Sequence, residues 1–534
     1  MKNMLKNLLE KAIIEIKEGE KWPEFELLEI SVEYTKDEKF GDYTSNIAMM
    51  LAKKVGKSPI EIANAINLQL STYNIQQIEK TEVAAPGYIN FHLSNKYLQE
   101  IVEKINIEGR DFGDSKIGVG KKINNEFISA NPTGPFTVGN GRGGFFGDSL
   151  SRVLRKAGFE VTSEYYVNDA GGQIEKLGHS VLKDEEAAYA GDYIDALNLK
   201  YSDLGDVRAV GKAAAADILE NIIKKTASER MKINFDVWMS EQKLNDEGYD
   251  KRAIELIKEK GYAYEFEGAL WIKTTEFGDD KDRVLVKSDG KNAYIAGDCG
   301  YMLNKIERGY DRLVVTLGAD HHGYVARFKA VVKTLGFEGD FRIPISQLVR
   351  IVKDGKEVRM SKRAGNVVYM DELIDEIGHD ITRFFFLMYS PDSHMNFDLD
   401  LAKERSKKNP VFYVQYGHAR ISSILEKAEI QKLKAKSGEE NLDLLVDQKE
   451  LILVKELNKF PGLVEEISDS YEVHKLPHYA IKLADKFHSF YDSCRVIDEE
   501  NLELTKARLS LVNAAKIVLA QTLDLIGVEA PERM

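Results

Sequence analysis

Two stretches of this chain carry residues suited to handling phosphate. Residues 129–149 read SANPTGPFTVGNGRGGFFGDS. Within them GNGRGG (139–144) satisfies G-x-G-x-x-G, and Glu164 follows about twenty residues on, where a dinucleotide fold sets the acid that binds ribose. Glycines admit close backbone approach, and a helix N-terminus adds a dipole that favours anions. Residues 358–366, VRMSKRAGN, cluster Arg359, Lys362 and Arg363, cations that a loop can close over a charged transition state. A third stretch suits a cationic ligand: in AYIAGDCGYMLNK (293–305) Tyr294 and Asp298 are four apart, so on a helix they share a face. LGADHH (317–322) adds Gly318, Asp320, His321 and His322. A carboxylate beside glycine suits ribose hydroxyls. The histidines could be read as metal ligands, but no Cys or carboxylate partner has the spacing of a zinc site, so no bound metal is expected.

The elements that must position these groups separate the readings. INNEFISA (123–130) is a strand candidate, GDSLSRVLRKAG (147–158) a helix closed by Gly158, and FEVTSEYYV (159–167) a second strand ending at Asn168 and Asp169. A β-loop-α-β start of this kind predicts a parallel sheet with right-handed crossovers. The glycine-rich residues read as a loop entering a helix that begins near Asn140. A dinucleotide turn follows its strand at once, whereas here residues 131–137 intervene and include Pro132 and Pro135. A nucleotide-dependent oxidoreductase is therefore only a remote alternative.

The 534 residues are too many for one hydrophobic core, so several domains are expected. The two cysteines, Cys299 and Cys494, are too few for a disulfide framework and suit a reducing cytoplasm. A formal charge of −13 argues against a generic nucleic-acid coating protein, leaving room for a local basic face. The first residues place Leu5, Leu8, Leu9, Ala12, Ile13 and Ile16 on one helical face interrupted by charge, which is not a signal-peptide core, and no membrane span is expected.

Residues 1–115 read as a small α+β domain, in which EVAAPGYINFHLS (82–94) alternates as a strand. A glycine-bearing, charged run near 108–122 reads as a linker. Residues 116–390 read as an α/β domain with a helical insertion at about 174–231. The basic 358–366 stretch would lie on a hairpin turning at Asp354-Gly355. Strands are expected to stop near Ser390, leaving 391–534 all-helical.

The longer motifs resemble the class I aminoacyl-tRNA synthetases, and closely the arginyl-tRNA synthetase family. SANPTGPFTVGNGRGGFFGDS, FDVWMSEQ, YIAGDCGYMLNK, LGADHHGYVARFKAVV and VRMSKRAGN are similar to catalytic-domain motifs of that family. FGDYTSNIAMMLAKKVGKSP resembles its N-terminal domain, and NPVFYVQYGHARISSIL its anticodon-binding domain. The resemblance covers nearly the whole chain. It implies a multidomain fold: an N-terminal α+β tRNA-binding domain (1–115), an α/β nucleotide-binding parallel-sheet catalytic domain (116–390) and a C-terminal all-α helical bundle that binds the anticodon (391–534).

It further implies L-arginine, tRNA and ATP with Mg2+ as substrates, no bound zinc, a cytoplasmic monomer, and no membrane partner. Two signatures depart from the family. HIGH is replaced by Thr137-Val138-Gly139-Asn140, and KMSKS by Arg359-Met360-Ser361-Lys362-Arg363. The implied catalytic residues are Thr137, Asn140, Arg359 and Lys362; those binding ATP are Pro135, Gly139, Gly141, Gly318, Asp320, Met360 and Ser361. Asn131, Glu241, Tyr294, Asp298 and His321 would bind arginine, with Gly297 standing where the family carries arginine. On the C-terminal helices Tyr413, Tyr416 and Arg420 would contact tRNA by stacking on unpaired bases. A catalytically silent tRNA-binding paralogue is the alternative.

Overall fold

The computed structural model describes residues 1–19, 22–357, 368–431, 433 and 440–534. Its first helix, Lys2–Gly19, buries Leu5, Leu9, Ala12, Ile13 and Ile16, one face of a 3.6-residue period. This helix and those at Ile47–Val55 and Pro59–Ser71 accompany a four-stranded antiparallel sheet ordered Glu33–Tyr34, Tyr43–Ser45, Tyr88–Leu93, Ile78–Ala84. EVAAPGYINFHLS is thus two strands, because Pro86 and Gly87 belong to the turn between Ala84 and Tyr88.

The central sheet has five parallel strands in the order Asp340–Arg342, Arg312–Val315, Lys122–Glu126, Glu160–Val167, Val237–Ser240. The chain starts at Lys122–Glu126, builds outward to one side, then returns to build the other from Arg312–Val315. The carboxyl ends of those two neighbouring strands therefore form the switch point where open α/β sheets bind ligands. The insertion carries the helices Gly172–Leu182, Asp192–Tyr201 and Val207–Ile218, the last continuing through two π-helical turns to Arg230.

The basic hairpin turns where the sequence indicated, with Asp354 and Gly355 at φ 49° and 70° between Val349–Lys353 and Lys356–Glu357. Strands do not stop near Ser390: Met395–Asp398 pairs in parallel with Val349–Val352. Its alternation, with Met395 and Phe397 buried, spans only four residues, too short to stand out from sequence. Beyond it lie the helices Pro410–Ile430, Gln448–Leu457, Phe460–Ser470, Lys475–Ser493 and Leu502–Ile526. The last is long and apolar enough to cross a membrane, but 67% of its apolar stretch is buried, so it is a core helix. It ends against the back of the helix Val138–Lys156. Ser149 Oγ donates to the Leu525 carbonyl at 2.8 Å, and the buried Arg383 bridges the Ile526 carbonyl and Asp148.

Candidate active site

The glycine-rich residues 139–144 do not form a loop. They are the opening turns of Val138–Lys156, and each glycine has a different neighbour. A Cβ on Gly141 would fall 2.1 Å from Met370 Sδ, one on Gly144 2.7 Å from Ile128, and one on Gly147 2.1 Å from Phe127. These positions are small so that the helix can sit close to its surroundings. Gly139 is exposed and has only Thr137 Oγ1, at 3.6 Å, near its missing side chain. Of the glycines implied to meet ATP, Gly139 has open space and Gly141 is filled from inside the protein.

Thr137 and Asn140 form a capping box. Thr137 Oγ1 accepts from the Asn140 N–H at 3.4 Å, while Asn140 Oδ1 accepts from the Thr137 N–H and hydroxyl at 2.9 Å each. Both side chains are therefore spent in large part on holding the helix start. The Val138 N–H donates to the Val368 carbonyl at 3.1 Å and the Met370 N–H to the Phe136 carbonyl at 2.8 Å. The first signature is thus clipped to residues that follow the second. Arg359, Met360, Ser361 and Lys362 themselves lie outside the described residues.

At the carboxyl ends of the strands, acids converge. Tyr166 is stacked on Tyr301 at 4.2 Å, and burial together with Glu241, Asp298, Glu126 and Asp169 pushes its hydroxyl pKa up. Burial, reinforced by Glu241 and Glu126 and opposed by Arg327, raises Asp298 to about 7. Burial and Asp169 raise Glu241 as well. With its amide nitrogen turned toward Glu241, Asn168 donates to Glu241 Oε2 at 2.5 Å and lies 3.1 Å from the Asn131 amide. Asp169 accepts from Ser240 Oγ at 2.6 Å and the Gln242 N–H at 2.9 Å, which fixes the turn that presents Glu241. Glu241 and Asp298 thus lie in an acidic surround that also contains Asp169 and the Lys305-paired Glu126, and two acids can meet one planar guanidinium.

Beneath the pocket is a fully buried ionic network. Lys305 lies 2.9 Å from Glu126 and 3.0 Å from Glu164; Tyr301 donates to both acids at 2.8 and 2.6 Å. Burial alone would raise the Glu164 pKa, but Lys305 and Arg308 hold it at about 2. Glu164 is therefore a structural anion, unavailable to ribose, and the dinucleotide reading loses its acid.

Other expected residues are placed less centrally. Tyr294 starts the helix Tyr294–Glu307 one turn before Asp298, as expected, but is 79% exposed. Asp320 and His321 are exposed and 3.4 Å apart in the turn Ala319–Tyr324, which follows the strand pair of Leu317–Gly318 with Ile345–Ser346. Pro135 is partly buried ahead of the capping box. On Pro410–Ile430, Arg420 donates to Tyr416 Oη at 2.7 Å and lies over the rings of Tyr416 and Tyr491, while Tyr413 packs on His488. These rings are partly exposed; His418 is buried against the Pro531 carbonyl. Sequence reasoning assigned no role to Glu126, Tyr166, Asn168 or Asp169. Their signal was position at the carboxyl end of a strand.

Family models match three parts of the chain: arginyl tRNA synthetase N terminal domain at 3–93, tRNA synthetases class I (R), catalytic domain at 211–384, and DALR anticodon binding domain at 414–534. The chain is 43% identical over 541 residues to an arginine--tRNA ligase of Listeria welshimeri, covering 96% of each, and 40% identical over 563 residues to that of Bacillus subtilis, covering 100% of this chain and 99% of the relative. The fold matches Thermus thermophilus arginyl-tRNA synthetase with a TM-score of 0.81 at 20% identity over the whole of both chains. These family models and full-length relatives, on a chain with an acidic cluster at the carboxyl ends of its parallel strands, make this chain a member of the arginyl-tRNA synthetase family.

Proposed function

We propose that the chain ligates L-arginine to its cognate tRNA through an arginyl-adenylate made from ATP. The observation that carries this reading is the convergence of Glu241, Asp298, Glu126 and Asp169 around Tyr166, a pocket in which the raised pKa values of Glu241 and Asp298 would fall when a guanidinium enters. Asp298 and Glu241 would face the guanidinium with the Tyr294 hydroxyl, and Asn131 would meet the α-amino group, with His321 at the pocket's edge.

Arginine carboxylate attack on the ATP α-phosphate builds negative charge on the phosphates. The helix N-terminus at Val138 and the exposed backbone of Gly139 would approach them, Gly318 and Asp320 would hold the nucleoside, and Pro135 would border it. Arg359, Met360, Ser361 and Lys362 would complete the triphosphate site, Lys362 balancing the departing pyrophosphate. Thr137 and Asn140 would act chiefly by fixing the helix start. Magnesium would arrive with ATP as part of the substrate; among the described residues no cluster of three ligating side chains holds a metal of its own. The C-terminal Tyr413, Tyr416 and Arg420 would stack on anticodon bases, and residues 1–115 would touch the tRNA elbow. A cytoplasmic monomer is the working arrangement.

ATP–pyrophosphate exchange with arginine, with and without tRNA, tests the proposal. Arginine-dependent exchange supports it. tRNA binding with no exchange under any condition, the behaviour of a silent tRNA-binding paralogue, would overturn it.

A further inference from the structure

Between the N-terminal sheet and the C-terminal helices lies a cleft of about 180 Å³ that the arginine-activating chemistry does not use. Lys36 reaches it from one side and Lys455, Lys459, Lys482 and Lys486 from the other. Among the described residues two carboxylates line it. Asp42 pairs with Lys455 at 2.9 Å, and Glu456 is shared by Lys459 at 2.7 Å and Lys482 at 3.3 Å. Cations thus outnumber acids here on a chain whose formal charge is −13. Burial, relieved by Glu456 but aggravated by Lys482, draws the Lys459 pKa down, as expected where ammonium groups crowd.

Asn458 supplies an independent observation. Its Oδ1 accepts from Tyr97 Oη at 3.1 Å, which leaves Nδ2 as the group without a task; that nitrogen is buried and has no hydrogen-bond partner among the described residues. An orphaned buried donor is destabilising unless an acceptor arrives. A neutral donor set among lysines from both sides of the cleft asks for a ligand with several oxygens and more than one negative charge, which a single carboxylate is not.

We propose that this interdomain cleft binds a phosphate group, held by Lys459, Lys482 and Lys486 and accepting the Asn458 Nδ2–H, and that its occupation ties the N-terminal domain to the C-terminal helices. The phosphate could belong to a free oligophosphate or to an RNA backbone.

The test uses the full chain with its active site filled by arginine and one equivalent of a nonhydrolysable ATP analogue, whose triphosphate occupies the pyrophosphate subsite as well, so that only other anion sites remain. Sodium tripolyphosphate is titrated by calorimetry. Wild type should bind, with affinity at least tenfold weaker in the Lys482→Gln/Lys486→Gln double variant and in Asn458→Asp, and retained in Lys482→Arg/Lys486→Arg; unchanged analogue binding reports intact folding. No binding by wild type, or equal binding by the glutamine variant, overturns the proposal. A second arm measures tRNA affinity against salt. A loss in the glutamine variant with a shallower salt dependence identifies an RNA phosphate. Unchanged tRNA affinity alongside lost tripolyphosphate binding identifies a free oligophosphate.

Discussion

The Val138 N–H and the Val368 carbonyl, 3.1 Å apart, join the start of the glycine-built helix to the segment that follows the basic 358–366 stretch. The bond uses one of the amides that a helix start leaves over. Val138→Pro removes that donor at the first helical position, where proline is well tolerated, and Thr137 already has the extended backbone that precedes proline. We expect a melting temperature within a few degrees of wild type and adenylate formation slowed about five- to tenfold, the equivalent of roughly 1 kcal/mol for one hydrogen bond. Stopped-flow adenylate formation with saturating tRNA measures it; an unchanged rate would detach the clip from the chemistry.

Gly139 and Gly141 should respond oppositely to the same change. Alanine at 139 meets open space and improves helix propensity by up to about 1 kcal/mol, so Gly139→Ala should fold as well as wild type while raising the KM for ATP. Alanine at 141 must displace the fully buried Met370 and should cost about 1–3 kcal/mol by overpacking. Denaturant melts beside ATP kinetics separate the two; an ATP defect that tracks lost stability in both variants would contradict the assignment of Gly139 to the nucleotide.

Asp298 gives arginine recognition a pH signature. With its folded-state pKa raised to about 7, the free carboxyl is protonated below that pH, and a guanidinium favours the anion. Arginine affinity should therefore rise as pH climbs through about 7 and level off above it, with proton release on binding. The sign for stability is opposite: a carboxyl easier to protonate folded than unfolded favours the unliganded fold at lower pH, and that contribution fades as pH rises toward 7. Asp298→Asn should flatten both profiles, and Asp298→Ala should weaken arginine by about 2–5 kcal/mol with ATP affinity kept. Calorimetry in buffers of different ionisation enthalpy reads the proton directly.

Lys305 should matter more to the fold than to substrate contact. Lys305→Met leaves Glu126 and Glu164 buried without their shared cation, a loss of about 3–5 kcal/mol. Because Glu164 is held near 2 against an ordinary 4.5, its stabilisation is complete above about pH 4.5 and is lost as pH falls from there toward 2. Acid unfolding curves of the two proteins should converge at low pH.

Tyr416→Ala should weaken tRNA binding by about 1–3 kcal/mol, the worth of one base stacked on an aromatic ring, with the KM for arginine and for ATP unchanged. Arg420→Ala should do likewise, because Arg420 pins Tyr416 through its hydroxyl. Additive losses in the double variant would show that the two residues meet RNA separately.

Much of the architecture was legible because periodicity carries it: the α/β alternation from 123 onward, the helical insertion and the C-terminal helices each write their burial into a local pattern. What failed were features set by distant arrivals. Nothing near GNGRGG says that Met370 packs on Gly141, so the run of glycines resembled a loop when it is a helix made thin for its neighbours. Glu126 and Asp169 looked like ordinary strand-end residues, since only the sheet order brings them to Glu241 and Asp298. Strand Met395–Asp398 was hidden by brevity.

The hydrogen bond from Ser149 to the Leu525 carbonyl places the end of the final core helix on the same rod that begins at Val138 and Gly139. That rod is 19 residues long, about 28 Å. Ser149 and Gly139 are joined by unbroken helix, so a shift of the C-terminal bundle at Leu525 would reach the helix start through backbone hydrogen bonds alone and not through a relay of side chains.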